Sequence, residues 1–429
     1  MKIAIFWFRR DLRLEDNTAL HAALKSGNQV LPIFIFDQDI LSDLPEQDAR
    51  LGFIHDLLTD INSSLHTLGS GVQCLFGSPL NVWKSLIETY DISSVFINKD
   101  YEPYARKRDQ EIAALLSENG IVLHTFKDQV IFEENEVLKA DGKPYTVFTP
   151  YKNKWLSHFN KEMLPFEASD FKALYKQTQV LPSLISMNFK VATIKVKPYD
   201  LSSLSEYIKS RDLPSTDNTS YLSPHLRFGS VSVRKIISTL KETDAVFLSE
   251  LIWREFFMQI IYHFPRVITE NFKVKYNSIV WRNDQQEFEK WCAGKTGYPM
   301  VDAGMRQLNA TGYMHNRVRM VTASFLCKHL LIDWRWGEAY FAQKLLDYEL
   351  SSNNGNWQWS AGTGCDATPY FRVFNPTSQQ QKFDGKGIYV KKWIPELDSF
   401  DYVPPMVDHK LARERALSTY KIGLAAYQN

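Results

Sequence analysis

The stretch from Leu346 to Pro376, LDYELSSNNGNWQWSAGTGCDATPYFRVFNP, gathers Asn353, Asn354, Trp357 and Trp359 with several glycines and Arg372. It follows no clean helical or strand period, so these residues do not read as one buried stripe. Indoles stack on flat surfaces, and amides donate and accept along a polar edge. Together they suit a pocket for a large flat ligand better than an apolar core. An arginine close by suits a phosphate.

Other sets of residues could share that chemistry. In ELIWREFF at 250–257, a helix would bring Glu250, Trp253 and Arg254 to one face at i, i+3 and i+4. One reading is a surface ion pair beside a buried indole. The other is a carboxylate and an indole facing a base while Arg254 faces an anionic cofactor. In TSYLSP at 219–224, Ser223 before Pro224 reads as an N-cap with proline at the first helical position. That is an ordinary cap, or a hydroxyl-rich helix start that takes a phosphate. In GYMHNRVRM at 312–320, which follows KTGYP at 295–299 and DAGMR at 302–306, Arg317 and Arg319 stand two apart among Met314, Val318, Met320 and Phe325. They point to different sides and call for anionic partners; a solvated face is the alternative. Trp281, Trp334 and Trp357 are core residues or, if aligned, a path that carries an electron to the surface.

The elements that must position these residues fall into two kinds. From 1 to 128, apolar runs at Ile3–Phe8, Val30–Phe36, Val72–Phe76, Ser94–Ile97 and Ile121–Phe126 alternate with helical stretches at Ala49–Leu68, Asn81–Tyr90 and Ala105–Asn119. That pattern predicts a parallel, Rossmann-like sheet covered on both faces. Residues 129–205 are broken by Pro144, Pro150, Pro165, Pro182 and Pro198 and read as an interdomain connector with short helical pieces. From 206 to 429 the strand signal disappears. Helical periods recur at Val231–Leu240, Phe247–His263, Gln286–Trp291, Asp302–Thr311, Arg317–Leu331 and Trp336–Leu346, and the tail from Val407 to Tyr427 ends in one more helix.

Several chemistries drop out. His225, His263, His315 and His329 have no ligand spacing with Cys or carboxylate, and no G-x-S-x-G elbow occurs, so metalloenzyme and hydrolase readings fall away. Neither G-x-G-x-x-G nor a P-loop is present. A flat redox cofactor remains. The net charge is only +1, so a nucleic-acid partner would need a local basic patch. Cys74, Cys292, Cys327 and Cys365 are isolated, which predicts a reduced, cytoplasmic protein. The charged N-terminus MKIAIFWFRRDLRLEDN is no signal peptide, and no apolar run approaches the roughly 20 residues of a membrane span.

In this order, FWFRRDLRLEDN at 6–17, PYTVFTPYKNKW at 144–155 and the dense run from Thr219 to Leu397 resemble the DNA photolyase/cryptochrome family over nearly the whole chain, most closely the class I photolyases that act on cyclobutane pyrimidine dimers. The resemblance implies an α/β domain that can hold an antenna chromophore and an all-α FAD-binding domain. It implies that Tyr207, Thr219, Ser220, Tyr221, Leu222 and Ser223 line the FAD phosphates and nearby groups. Phe247, Arg254, Asn316, Arg319, Asp347 and Asn353 would surround the rest, with Glu349 near the flavin's polar edge. Asn353 would face flavin N5, where a carboxylate would repel the anionic reduced ring. Photolyases have Asn there; plant cryptochromes have Asp.

The same resemblance makes Trp357, Trp334 and Trp281 a photoreduction chain running toward solvent. Glu250, Trp253, Met320 and Trp359 match the lesion pocket, with the two indoles stacking on a flipped dimer. Arg211, Arg317, Arg372 and Gln379 would meet DNA, the arginines at phosphates, setting position rather than sequence. His315 followed by Asn316, in place of the two histidines of (6-4) enzymes, points to cyclobutane dimers. Glu349 stands where many relatives have Asp. Tyr104-Ala105 replaces the Asn-Glu pair of folate-binding enzymes, which leaves a deazaflavin, a flavin or no antenna. The implied activity is light-driven dimer repair by a monomer that needs no protein partner. The alternatives are a cryptochrome-type blue-light photoreceptor without repair activity and a dark flavin oxidoreductase.

Overall fold

The computed structural model of the chain describes residues 2–164 and 169–427; Pro165 lies outside them. The chain forms two compact units. One comprises Met1–Leu138, Asn153–Pro198 and Leu222–Glu255, the other Lys139–Lys152, Tyr199–Tyr221 and Phe256–Asn429.

The first unit is built on five strands, β1 (Ile3–Phe8), β2 (Gln29–Asp37), β3 (Gln73–Gly77), β4 (Ile92–Asn98) and β5 (Val122–Phe126), in the order β3-β2-β1-β4-β5. Every pairing is parallel; β1 and β2 run in register from Ile3 opposite Gln29 to Phe8 opposite Phe34. The central strand IAIFWF is apolar throughout because successive side chains enter opposite cores. Ala4, Phe6 and Phe8 pack with Leu20, Leu51, Leu58 and Leu65 from the helices Thr18–Leu24 and Ala49–His66. Ile3, Ile5 and Trp7 pack with Trp83, Leu86, Ile112 and Leu116 from Pro79–Thr89 and Pro103–Glu118.

The FWFRRDLRLEDN motif, which begins within β1, supplies buried polar bonds. Arg13 Nη2 donates to both Asp128 oxygens at 2.7 Å, and Arg234 Nη2 donates to Asp128 Oδ1 at 2.8 Å. The Thr18 amide and hydroxyl add bonds to the same oxygen at 3.3 and 3.1 Å. Burial pushes the Asp128 carboxyl up, but the two guanidiniums outweigh it and hold it down at about 2.

In the second unit, and from residue 206 onward generally, every regular element described is helical. The core gathers Trp291, Met305, Val318, Phe325, Trp334, Phe341 and Trp357. Three expectations change. The segment read as lacking a helical period contains the helix Leu350–Ala361. Its period is hidden because Asn354 and Gln358 point inward. Asn354 Nδ2 and Gln358 Nε2 donate to the Val267 carbonyl at 3.0 and 2.9 Å, and Gln358 Oε1 accepts from the Phe272 amide at 2.8 Å. Asn354 therefore serves the core. The single helix expected over Arg317–Leu331 is an α-helix, Asn316–Ser324, followed by a wider π-helical turn over Phe325–Leu330. There buried Lys328 donates to the carbonyls of Ala361 at 2.7 Å and Tyr370 at 3.2 Å, and burial lowers its pKa to about 7. Finally, the short helices Thr18–Leu24, Pro376–Phe383 and Ile388–Trp393 were not anticipated.

Candidate functional site

In the second unit the helix Leu350–Ala361 and the residues just before it carry the densest set. Asp347 Oδ2 accepts from Arg319 Nη2 at 2.9 Å, while Asp347 Oδ1 is buried with no partner among the described residues. Ser351 Oγ is likewise buried without one. Arg319 is held at its root by the Met314 carbonyl, 2.8 Å from Nε. Asn353 directs its amide nitrogen at Glu338, 2.7 Å from Oε1 and 3.1 Å from the backbone oxygen. Burial raises the Glu338 carboxyl, and the bond from Asn353 works against that rise. Glu349 caps the helix start in extended conformation and accepts the Ser352 hydroxyl at 3.0 Å.

Two helical glycines set the packing of neighbouring rings. A Cβ on Gly337 would stand 2.1 Å from Trp357 Cη2, and one on Gly355 would stand 2.1 Å from Phe257 Cδ1. Trp357 is buried, with Phe341 and Trp291 as ring neighbours at 5.0 and 6.1 Å. Trp334 is also buried, and its indole N–H donates to Asn271 Oδ1 at 2.9 Å. Trp281 is half-buried with its ring edge on Tyr420, 5.9 Å away. Trp359 and Met320 are half-buried, and Arg372 is exposed.

The basic residues have internal partners. Arg317 pairs with Asp212 at 2.7 Å, lies 4.2 Å over the Phe383 ring and approaches Met320 Sδ at 3.6 Å. Arg317 and Arg319 thus do diverge. His315 caps their helix by accepting the Arg317 amide, and burial lowers its pKa to about 4, so it does so as the neutral ring. Arg211 lies over the Tyr207 ring at 5.3 Å and Arg372 over Phe374 at 5.2 Å. Asn316 is exposed and Gln379 half-buried. Thr219 and Ser220 are half-buried, the Ser220 carbonyl accepting from the Asp200 amide at 2.9 Å. Tyr221 has φ of 52°, and its ring meets Tyr313 edge-on at 5.1 Å.

In the first unit the helix Leu222–Phe228 begins one residue before Ser223, so Ser223 lies in the first turn and is not the cap. Pro224 is tolerated there because first-turn amides have no helical acceptor. Glu250, Trp253 and Arg254 do lie in one helix, Ala245–His263. Arg254 Nη1 donates to the Gln129 carbonyl at 2.7 Å. Phe247 is buried; Glu250 and Trp253 are half-buried. Sequence reasoning missed Glu255, a structural acceptor for the Ile131 amide at 2.7 Å and the Trp155 indole at 2.7 Å. It also missed Glu338, Asp212, Ser351 and Lys328, none of which stands in a pattern that marks it out. Among the described residues no cluster of His, Cys, Asp or Glu could hold a metal ion.

A parallel α/β unit and a helical unit with an arginine-paired aspartate, an amide and buried indoles define a protein built to hold a large aromatic cofactor. Residues 4–170 match the family described as DNA photolyase, and residues 247–401 match the FAD binding domain of DNA photolyase. The chain is 36% identical to a deoxyribodipyrimidine photo-lyase of Vibrio cholerae, over 97% of this chain and 99% of that one. It is 35% identical to the Escherichia coli K12 protein of that name, over 98% and 99%. Among solved structures it resembles a bacterial class III photolyase from Agrobacterium tumefaciens, with a TM-score of 0.86, 33% identity and coverage of 99% and 98%. An archaeal photolyase from Sulfolobus tokodaii with two FAD molecules gives a TM-score of 0.84 and 34% identity over 98% and 99%. The chain belongs to the DNA photolyase family. A class III enzyme stands among these likenesses, so the resemblance drawn from the motifs holds for the family rather than for class I.

Proposed function

We infer that the protein is a light-driven DNA repair enzyme that binds FAD and splits cyclobutane pyrimidine dimers. The observation that carries the cofactor is the unpartnered pair of buried oxygens, Asp347 Oδ1 and Ser351 Oγ, within the span that matches the FAD-binding model. A buried carboxylate oxygen is costly without a donor. The imide, amino and hydroxyl groups of FAD are such donors, so the residues fit the group. When bound, the flavin supplies light absorption and the single electron that ring splitting requires.

The chain's own residues bind, orient and exclude water. We propose that Arg319 holds Asp347 in place for the cofactor, as their ion pair supports. Glu338 fixes the Asn353 amide, whose neutrality suits an anionic ring. Tyr207, Thr219, Ser220, Tyr221, Leu222 and Ser223 serve the phosphates, and Phe247, Arg254, Asn316 and Glu349 serve the remaining cofactor surface. Trp253, Trp359 and Met320 receive the flipped dimer, and Glu250 hydrogen-bonds it. Arg211, Arg317, Arg372 and Gln379 hold the DNA strand. Trp281, Trp334 and Trp357 refill the electron. In this reading residues 1–128 are the antenna-type domain, 129–205 the connector and 206–429 the FAD- and DNA-binding domain. A second chromophore in the first of these is supported by the relative that holds two FAD molecules. The enzyme acts as a cytoplasmic monomer without a protein partner; no helix among the described residues is long and apolar enough to cross a membrane.

The test is repair of a dimer-containing oligonucleotide by purified, FAD-bearing protein. Restoration under blue light and none in the dark is expected. A protein that holds FAD yet leaves the dimer intact under light sinks the reading in favour of a photoreceptor.

A further inference from the structure

The loop that follows the helix Leu350–Ala361 leads to Arg372, and its inner side closes on a lysine. Gly362 leaves the helix with φ of 86°, and the chain then returns to its own start. A Cβ on Gly362 would stand 3.1 Å from Tyr370 Cα and 3.3 Å from Lys328 Nζ. Lys328 is fully buried in the π turn Phe325–Leu330, which ends at Leu331 with φ of 52°. Such turns often mark functional sites. The Lys328 nitrogen bonds the carbonyls of Ala361 and Tyr370 at 2.7 and 3.2 Å and lies 3.9 Å over the Tyr420 ring. Ala361 stands two residues after Trp359, and Tyr370 two before Arg372. One side chain thus joins both ends of the loop. The loop's own hydroxyls do not: those of Thr363 and Thr368 are buried with no partner among the described residues. The outer side, at Phe371 and Arg372, is exposed.

We propose that Lys328 is a positioning residue for DNA binding, the tie that holds the loop 362–373 against the helix so that Trp359 and Arg372 are presented together. The inference rests on the photolyase reading, in which Trp359 receives the dimer and Arg372 a phosphate. Burying a lysine is costly, and an apolar side chain of similar length fills the same space without that cost. The lysine supplies what an apolar side chain does not, several N–H donors fanned from one atom. They reach two acceptors nine residues apart in the chain. Both acceptors need a donor: the Ala361 carbonyl belongs to the last turn of its helix, where carbonyls have no helical partner, and Tyr370 lies in the loop. Tyr420 helps at the first of them, its hydroxyl donating to the Ala361 carbonyl at 2.8 Å. Its ring stacks on Tyr370 at 5.6 Å and 5°, which places the ring but leaves the Tyr370 carbonyl to Lys328. The Arg372 amide donates to the Pro369 carbonyl at 2.9 Å, so the turn that presents Arg372 encloses the residue that Lys328 holds.

The test compares the FAD-bearing holoprotein with its Lys328→Met variant, which keeps an apolar stem of similar length and removes the donors. Amide exchange followed by mass spectrometry reads the loop, and titration with a dimer-containing oligonucleotide reads the binding. In Lys328→Met the amides of 362–373 should exchange about tenfold faster, while those of the helix Leu350–Ala361 and the FAD content stay as in the unaltered protein. Affinity for the dimer-containing strand should fall about tenfold, with repair per flash at saturating DNA unchanged. The double variant Lys328→Met/Arg372→Ala identifies the route. The loss caused by Lys328→Met should shrink once Arg372 is gone, because part of it passes through that side chain. Losses that simply multiply, or loop amides that exchange as before, overturn the proposal. So does faster exchange throughout the helical unit, which makes Lys328 an ordinary core residue. Should Lys328→Met fail to fold, Lys328→Gln decides, since its amide is one atom shorter and does not reach both carbonyls. A loosened loop with weaker binding then supports the tie, and an unchanged loop overturns it. If the unaltered protein binds dimer-containing and undamaged strands alike, the photolyase reading of the pocket is what fails, and loop exchange alone decides the tie.

Discussion

Asp128 and Asp347 are both carboxylates held by arginine in the interior, and they differ in what they leave over. Asp128, in the α/β unit, spends both oxygens on Arg13, Arg234 and Thr18. Asp347, in the helical unit, spends one oxygen on Arg319 and keeps the other buried and unbonded. A closed set of bonds holds a scaffold together. An open one is a cost that persists when a ligand repays it. The contrast separates two residues of one type: both are arginine-paired aspartates, but the second has the geometry of a binding group.

The largest effect should come from breaking the closed set. Asp128→Asn should lose about 3–5 kcal/mol of unfolding free energy, read by urea denaturation, because the buried Arg13 guanidinium loses its charge partner and Arg234 keeps only Asp16. The pH dependence has a definite sign. The folded carboxyl sits at about 2, below its unfolded value. Its contribution is therefore complete above about pH 4 and fades as pH falls through the folded value. The gap between wild type and Asp128→Asn should narrow on acidification; a gap that stays constant to low pH would remove the ion-pair explanation.

Asp347→Asn sharpens the contrast from the other side. FAD affinity should fall by about 1.5–3 kcal/mol, the worth of a hydrogen bond to a charged group, measured by fluorescence titration of the apoprotein. Unfolding in the absence of FAD should change far less than in Asp128→Asn. If Asp347→Asn binds FAD normally and unfolds early, the two aspartates are the same kind of residue. The smallest effect belongs to exposed Arg372. Arg372→Ala should leave unfolding and FAD binding unchanged and lower the salt slope of DNA binding by about 1, without regard to sequence.

The same contrast explains what could be read from the sequence. β1 is legible because a strand buried on both faces must be apolar at every position, and IAIFWF is. β4 was read short, as Ser94–Ile97, because Ser93 interrupts the apolar run after Ile92. The helix Leu350–Ala361 escaped detection because its inward face carries amides satisfied by loop carbonyls rather than hydrocarbon. Its amides and indoles stood out as residue types, but Asn353 and Asn354 could not be told apart until the backbone set one toward Glu338 and the other toward Val267. Glu338 was invisible for a related reason: its meaning lies in a contact 15 residues away in the chain. Trp291 read only as the end of a helical period, since nothing in a one-dimensional pattern reports an indole 6.1 Å off.

The absent side chains at Gly337 and Gly355 bear on how the protein can be made more robust. Replacing helical glycine with alanine is a common route to thermostability, worth roughly 0.5–1 kcal/mol at permissive sites. Both glycines lie inside helices and would be early choices in such a campaign. At each, the new methyl would stand 2.1 Å from a ring carbon, of Trp357 at one and Phe257 at the other. A variant selected for heat resistance alone would displace the Trp357 indole, and if that indole heads the proposed electron route the damage would show only when the light was switched on.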